Sequence, residues 1–251
     1  MSKKKYISGH FSYKTDIGKV RLTNEDQAVA LINARGNVLL AVCDGMGGAN
    51  KGDLASSLAI KYLVEAFEEK DKFFSRYGAI IWLTNTIRKA NKIIFDEAEK
   101  NEAYQGMGTT MTCVLIVGGY YFTAQVGDSR AYMLKNNKLE QITQDQTYVG
   151  YLYRTGQIKK EEMNTHPKRH VLLNALGIFP SLEVDVKTSL YNDESFLICS
   201  DGLYNNLTDR DIESVMQSNE NVDMKVKQLI ALANSNGGSD NIGVALWEED
   251  K

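Results

Sequence analysis

The chain has 251 residues, of which 43% are hydrophobic and 24% charged, with a formal net charge of −3; that composition supports a sizeable core and excludes the low-hydrophobicity signature of a disordered protein. Beyond the short tip Lys3, Lys4, Lys5 there is no Lys/Arg stripe, so the basic footprint of a nucleic-acid binder is absent. The apolar runs are strand length, far short of the about 20 residues of a membrane helix, and no apolar stretch follows the basic tip as a signal peptide requires, so a cytoplasmic protein without membrane insertion is expected.

In chain order, β-type runs fall first at 28–33 and 38–43, joined by the turn signal Arg35-Gly36-Asn37. Helical periodicity follows at about 51–69, where Leu54, Leu58, Tyr62, Leu63 and Phe67 share one face, and again at about 77–100. Strands return at 110–117, 121–126 and 130–134, punctuated by Gly118-Gly119 and Asn136-Asn137. The stretch from about 145 to 181 keeps neither period and reads as an elaborated surface segment of short helices and loop. It carries Thr147, Tyr148, Tyr151, Tyr153, His166 and His170. Strands at 183–189, 195–199 and 242–246 then enclose two helices, one at 208–217 with Thr208 as its N-cap and one at 223–234.

Strands and helices thus fall in blocks, which favours an α+β architecture over a doubly wound parallel sheet. Two antiparallel sheets packed face to face, with helix pairs outside, bury every apolar stripe. With only two prolines, no linker-like stretch and no solenoid repeat, one domain over 1–251 is the simplest account. Cys43, Cys113 and Cys199 sit in apolar runs without C-x-x-C spacing and read as buried, reduced thiols.

The informative residues are aspartates placed where apolar runs end. Asp44 follows Leu39-Leu40-Ala41-Val42-Cys43, Asp201 follows Phe196-Leu197-Ile198-Cys199-Ser200, and each precedes a glycine. Asp128 and Asp240 lie at a strand end and a strand start. A single Asp-Gly at a strand end is ordinarily a hairpin turn, but neither Asp44 nor Asp201 is followed by the second strand a hairpin demands. If these ends share one edge of the sandwich, three or four carboxylates converge, and charges so close require a cation. Oxygen-only ligation points to magnesium or manganese rather than zinc or copper. Gly45, Gly47 and Gly48 let the backbone bend sharply and offer a carbonyl or amide to a metal or phosphate. No G-x-x-x-x-G-K-[ST] loop is present, so nucleotide hydrolysis of that kind is unsupported.

These motifs occur in a familiar order: Thr15-Asp16-Ile17-Gly18-Lys19-Val20-Arg21 with Asn24-Glu25-Asp26, Asp44-Gly45-Met46-Gly47-Gly48, Gly108-Thr109-Thr110, Gly127-Asp128-Ser129-Arg130-Ala131-Tyr132, Ser200-Asp201-Gly202-Leu203 and Asp240-Asn241. Together they span nearly the whole chain, and the sequence resembles the metal-dependent (type 2C) serine/threonine protein phosphatases in their bacterial single-domain form. The resemblance implies a four-layer αββα sandwich with a flap at about 145–181 and a binuclear manganese or magnesium centre. It implies Asp44 as the bridging ligand, Asp201 and Asp240 as ligands of the first metal, and Glu25 with the Gly45 carbonyl as ligands of the second. Asp128, with Asp201, matches a third, weaker site, and Arg21 matches the arginine that grips substrate phosphate. A metal-activated water then attacks phosphorus in line, with phosphorylated proteins, the products of a serine/threonine kinase, as substrates and a monomer as the default state. One departure stands out: Met46 occupies the place of a histidine proposed as general acid in many eukaryotic members, and it cannot transfer a proton. The rival readings are a catalytically silent phosphatase fold that binds phosphoprotein, which the presence of every ligand disfavours, and a structural calcium protein, for which no D-x-[DN]-x-[DN]-G loop exists.

Overall fold

Chain reversals at glycine and asparagine build the sheets. In the computed structural model, which describes residues 7–47, 51–70, 72–163 and 165–250, β1 (Gly9–Asp16) is followed by β2 (Asp26–Ile32) and β3 (Val38–Met46), which pair antiparallel across a turn where Gly36 takes a φ of 73°. The Lys3–Lys5 tip and Gly48 lie outside the described residues. Helices α1 (Gly52–Glu68) and α2 (Arg76–Lys100) follow, then β4 (Gly108–Thr109), β5 (Met111–Val117) and β6 (Tyr120–Val126). β7 (Arg130–Lys135) and β8 (Lys138–Gln141) meet at Asn136 and Asn137, whose φ of 51° and 58° suits the tight hairpin that asparagine tolerates. After α3 (Tyr148–Arg154) and α4 (Lys160–Met163) come β9 (Asp185–Leu190), β10 (Ser195–Cys199), α5 (Asp201–Tyr204), α6 (Asp209–Gln217), α7 (Val222–Ser235) and β11 (Ile242–Glu249).

One sheet runs β1-β11-β10-β7-β8 and the other β2-β3-β5-β6-β9, with β4 added beside β3; all these pairings are antiparallel. Their facing sides meet in a shared core that includes Val38, Leu40, Phe196, Ile198 and Trp247, each 0% exposed. The outer face of one sheet, with Leu39, Ala41 and Leu115, packs on Leu63, Phe67, Leu83 and Ile87 of α1 and α2. The outer face of the other, with Leu197, Val244 and Leu246, packs on Ile212, Val226 and Leu229 of α6 and α7. Alternation along each strand therefore feeds two layers at once, and each fully buried large side chain contributes about 1.5–3 kcal/mol. This is the four-layer α+β sandwich expected. The cysteines are buried and free, and no described helix is long and apolar enough to cross a membrane.

The departures from the expected elements have local causes. β1 and β8 are edge strands with mostly half-buried or exposed residues, so neither shows an apolar run. β3 does not stop before Asp44 but continues to Met46, because β4 supplies partners for Gly45 and Met46. The residues after Ser200 turn directly into α5. Thr208 caps α6 through a capping box with Asp211.

Residues 142–184 leave the sheets as the flap and are tied down at their roots. Thr147 bridges to Leu172 and Thr109 to Leu176. From α2, the 1%-exposed Asn91 accepts from Gly177 N at 2.8 Å and donates to Phe179 O at 2.9 Å. Asn91→Ala deprives both backbone groups of their partner, and at about 1–3 kcal/mol for such a loss it lowers the urea midpoint of the whole domain. An unchanged midpoint would show that this anchor carries no stability.

Candidate active site

Strand register brings the first carboxylates together, since pairing of β2 with β3 sets Asp26 opposite Asp44. The Asp44 backbone is held from β4 and β5: its N–H donates to Thr110 Oγ1 at 2.9 Å, while its carbonyl accepts from Thr110 N at 2.8 Å and Thr109 Oγ1 at 2.9 Å. Gly45 N donates to Glu25 O at 3.1 Å. A Cβ at Gly45 would collide with the Gly52 carbonyl and lie 2.6 Å from Glu25 O, so only glycine lets the start of α1 close over this strand. Ser56 Oγ donates to the same Glu25 carbonyl at 2.6 Å, and the Glu25 carboxylate accepts from Gly52 N at 3.3 Å.

The second sheet contributes its ends to the same edge. Asp201 opens α5, where a carboxylate suits the helix N-terminus, and its Oδ2 accepts from Asn205 Nδ2 at 3.1 Å. A Cβ at Gly202 would collide with the Asn241 carbonyl, so α5 sits against the Asp240–Asn241 loop. Arg21 Nη2 reaches Asp240 Oδ2 at 2.7 Å. Asn241 fastens three segments: its Oδ1 accepts from Glu25 N, and its Nδ2 donates to Ile17 O and Thr23 O, each at 2.9 Å. Asp128 follows Gly127, whose φ is 96°, and its carbonyl accepts from Tyr204 OH at 3.2 Å.

The electrostatics follow from this crowding. Burial raises the Asp44 carboxyl well above the usual carboxylate range, and the charges of Asp26, Asp201, Asp128 and Asp240 raise it further. Burial and then Asp201 and Asp145 push Asp128 up to about 7, against the pull of Arg130. Asp26 and Asp201 are raised for the same reasons, and burial raises Glu25. Arg21 is held more firmly protonated by its hydrogen bond to Asp240, helped by the charges of Asp240, Asp201 and Asp44. Among the described residues no three carboxylate, imidazole or thiolate side chains are closed up as a ready cage; Arg21 takes one oxygen of Asp240 and Asn205 one of Asp201. Even so, the donor set fits a hard divalent ion. It is all oxygen, and its members repel one another, which a cation reverses.

Arg21, Glu25, Asp44, Gly45, Asp128, Asp201 and Asp240 are thus brought to one edge of the sandwich. Two histidines are engaged elsewhere: His10 pairs with Asp250 at 3.1 Å, while His166 stays within the flap, its Nδ1 accepting from Lys168 N at 3.0 Å and its ring 5.9 Å from Tyr148. Sequence reasoning gave no role to Asp26, Ser200 and Asn241. Asp26 is 1% exposed and its Oδ2 accepts from Ser200 Oγ at 2.6 Å, while Ser200 Oγ in turn accepts from Gly243 N at 2.8 Å. The available signal was an aspartate, followed by one glutamine, opening an apolar strand, Asp-Gln-Ala-Val-Ala-Leu-Ile.

Known proteins are similar to this chain in sequence and fold. A sequence profile of the protein phosphatase 2C family matches residues 19–238. The chain is 38% identical over 242 residues, 96% of each chain, to a serine/threonine phosphatase of Listeria monocytogenes. Its fold superposes with a TM-score of 0.91 on the crystal structure of a serine/threonine phosphatase from Staphylococcus aureus, 32% identical and covering 100% of both chains. A TM-score of 0.86 relates it to the catalytic domain of the phosphatase PstP in complex with 2 manganese ions, at 31% identity over 98% of this chain and 100% of that one.

Proposed function

The chain belongs to the protein phosphatase 2C family, and from that premise we propose how its residues divide the work of a metal-dependent protein serine/threonine phosphatase. Its substrates are phosphoproteins, and its cofactors are manganese or magnesium in a binuclear centre. The observation that carries the assignment of roles is the convergence of carboxylates from both sheets beside a solvent-facing arginine at one edge.

When bound, the ion pair supplies an activated water and neutralises charge on the phosphoryl oxygens. Asp44 is central to the cluster and feels the charge of Asp26, Asp128, Asp201 and Asp240, so it is the residue that would be shared between the two ions. Asp201 and Asp240 would hold one ion, Glu25 and the Gly45 carbonyl the other, and Asp128 with Asp201 would offer a third position. Glu25 is presented by its contact with the start of α1, and Asp26 with Ser200 keeps the floor of the site polar and fixed.

Arg21 binds the substrate phosphate. Its side chain is 52% exposed and only one of its five N–H donors is taken by Asp240, leaving a fork for phosphate oxygens. Arg21→Ala loses charge-assisted bonds of about 1.5–3 kcal/mol each, so kcat/KM falls by about a hundredfold on phosphopeptide and p-nitrophenyl phosphate alike. A fall confined to KM for peptide would assign Arg21 to docking rather than to phosphate.

The same reading takes 1–251 as one phosphatase domain, acting as a monomer in the cytoplasm on the products of a serine/threonine kinase, as a signalling enzyme. Release of phosphate from a phosphothreonine peptide with added manganese tests it. Absence of turnover with metal bound would favour the silent, phosphoprotein-binding reading instead.

A further inference from the structure

Between β1 and β2 the chain holds three apolar side chains in water around Arg21: Ile17 is 40% exposed, Val20 65% and Leu22 95%. None of them belongs to the three packed cores. Scattered exposed hydrophobics are ordinary on a protein surface, but this loop is fixed rather than slack. Gly18 N donates to Asp16 Oδ1 at 2.9 Å, and Lys19 N to Gly238 O at 2.8 Å. Asn241 Nδ2 ties both ends of the loop, at Ile17 O and Thr23 O, each at 2.9 Å. The tie comes from the residue next to Asp240, the partner of Arg21. Folding therefore presents these apolar groups at a set place beside the carboxylate cluster.

We infer that Val20 and Leu22 form an apolar ledge that contacts the substrate chain next to its phosphorylated residue, and that the enzyme favours phosphoserine or phosphothreonine segments carrying an apolar side chain within two residues of the phosphate. The inference rests on the assignment of substrate phosphate to Arg21. Neighbouring Cα atoms lie 3.8 Å apart and an extended peptide advances about 3.3 Å per residue, so a phosphate gripped by Arg21 brings the adjoining substrate residues over Val20 and Leu22. The occupant is the substrate because Val20 and Leu22 are the immediate chain neighbours of Arg21, and the chemistry selects for apolar neighbours because burying a leucine releases apolar surface from water. The nearest charges on the loop, Lys19 and Arg21, leave an acidic side chain on the phosphopeptide to pair with a cation rather than with the ledge.

The test compares two phosphothreonine peptides in manganese, identical but for leucine or glycine in the positions flanking the phosphothreonine, on the wild-type protein, Leu22→Ser and Arg21→Ala. The wild type prefers the leucine peptide by about tenfold in kcat/KM, a ratio that matches partial burial of one leucine. Leu22→Ser brings that ratio to about one while leaving the glycine peptide unchanged, and thermal melting of so exposed a site does not shift. No preference in the wild type, persistence of the preference in Leu22→Ser, or an equal loss on both peptides would each overturn the ledge. Arg21→Ala lowers both peptides together; if it lowers neither, the phosphate assignment fails, whereas the leucine-to-glycine ratio still reports on the ledge.

Discussion

Asp44→Asn abolishes phosphate release from p-nitrophenyl phosphate and from phosphothreonine peptide alike, while the metal-free variant melts at a higher temperature than the metal-free wild type. The substitution keeps the shape of the side chain and the three hydrogen bonds that fix the Asp44 backbone between Thr109 and Thr110, so β3 stays in place. What it removes is the charge of a carboxyl that burial, and then the charges of its neighbours, raise well above the usual carboxylate range. Asp44 would be the ligand shared by the two ions, so its loss would remove the metal's support for the attack on phosphorus, and a barrier higher by about 4 kcal/mol corresponds to a thousandfold in kcat. Without metal, that same charge is unfavourable to the fold, because it is buried among Asp26, Asp128, Asp201 and Asp240 with no cation to offset them. Relief of about 1 kcal/mol raises the melting temperature by about 2–4 °C for a chain of this size. Near-full activity would show that Asp44 is not shared between the ions, and a lower melting temperature would show that repulsion does not dominate there.

The opposite behaviour of activity and stability at one residue explains which parts of the site were legible in the sequence. Asp44 and Asp201 could be read because a chemical oddity accompanied them: an Asp-Gly pair that no second strand followed. Gly45 and Gly202 looked like turn residues, and their actual use, admitting the Gly52 and Asn241 carbonyls where a Cβ would sit, is a tertiary contact with no local signature. Asp26 escaped because its function depends on register: only the pairing of β2 with β3 sets it against Asp44, and only β10 brings Ser200 to its carboxylate. The helices and central strands were legible from period and burial. β1 was not, since an edge strand with exposed Phe11 and Tyr13 alternates too weakly. α5 begins on the very Asp-Gly that suggests a turn, and at 4 residues it is too short to show a helical period. The flap, with helices of 7 and 4 residues, is anchored by Asn91 from far away in sequence rather than by any pattern of its own.

Stripping the divalent ions with a chelator eliminates turnover, and it also makes the stability of the folded protein fall as pH rises from about 4 to 8. An unfolded aspartate titrates near 3.9, whereas in the metal-free fold Asp26, Asp44, Asp128 and Asp201 are all raised, Asp128 to about 7. Between those values the native state holds more protons than the unfolded chain, so stability is fully present at low pH and is lost as pH rises through the folded values. Asp128 alone, moving from 3.8 to about 7, accounts for on the order of 4 kcal/mol at 1.36 kcal/mol per unit. Manganese reverses the slope, because its ligands bind it deprotonated and binding strengthens as they lose protons. At a hundred times its dissociation constant the ion adds about 2.7 kcal/mol, so the rise in melting temperature on adding manganese is larger at pH 8 than at pH 5.5. Paired melting curves at those two values, with manganese and with chelator, measure the difference directly. A metal-free protein that gains stability between pH 5.5 and 8, or a manganese effect equal at both, would mean that the carboxylates at this edge do not repel one another and that the ions are held by something else.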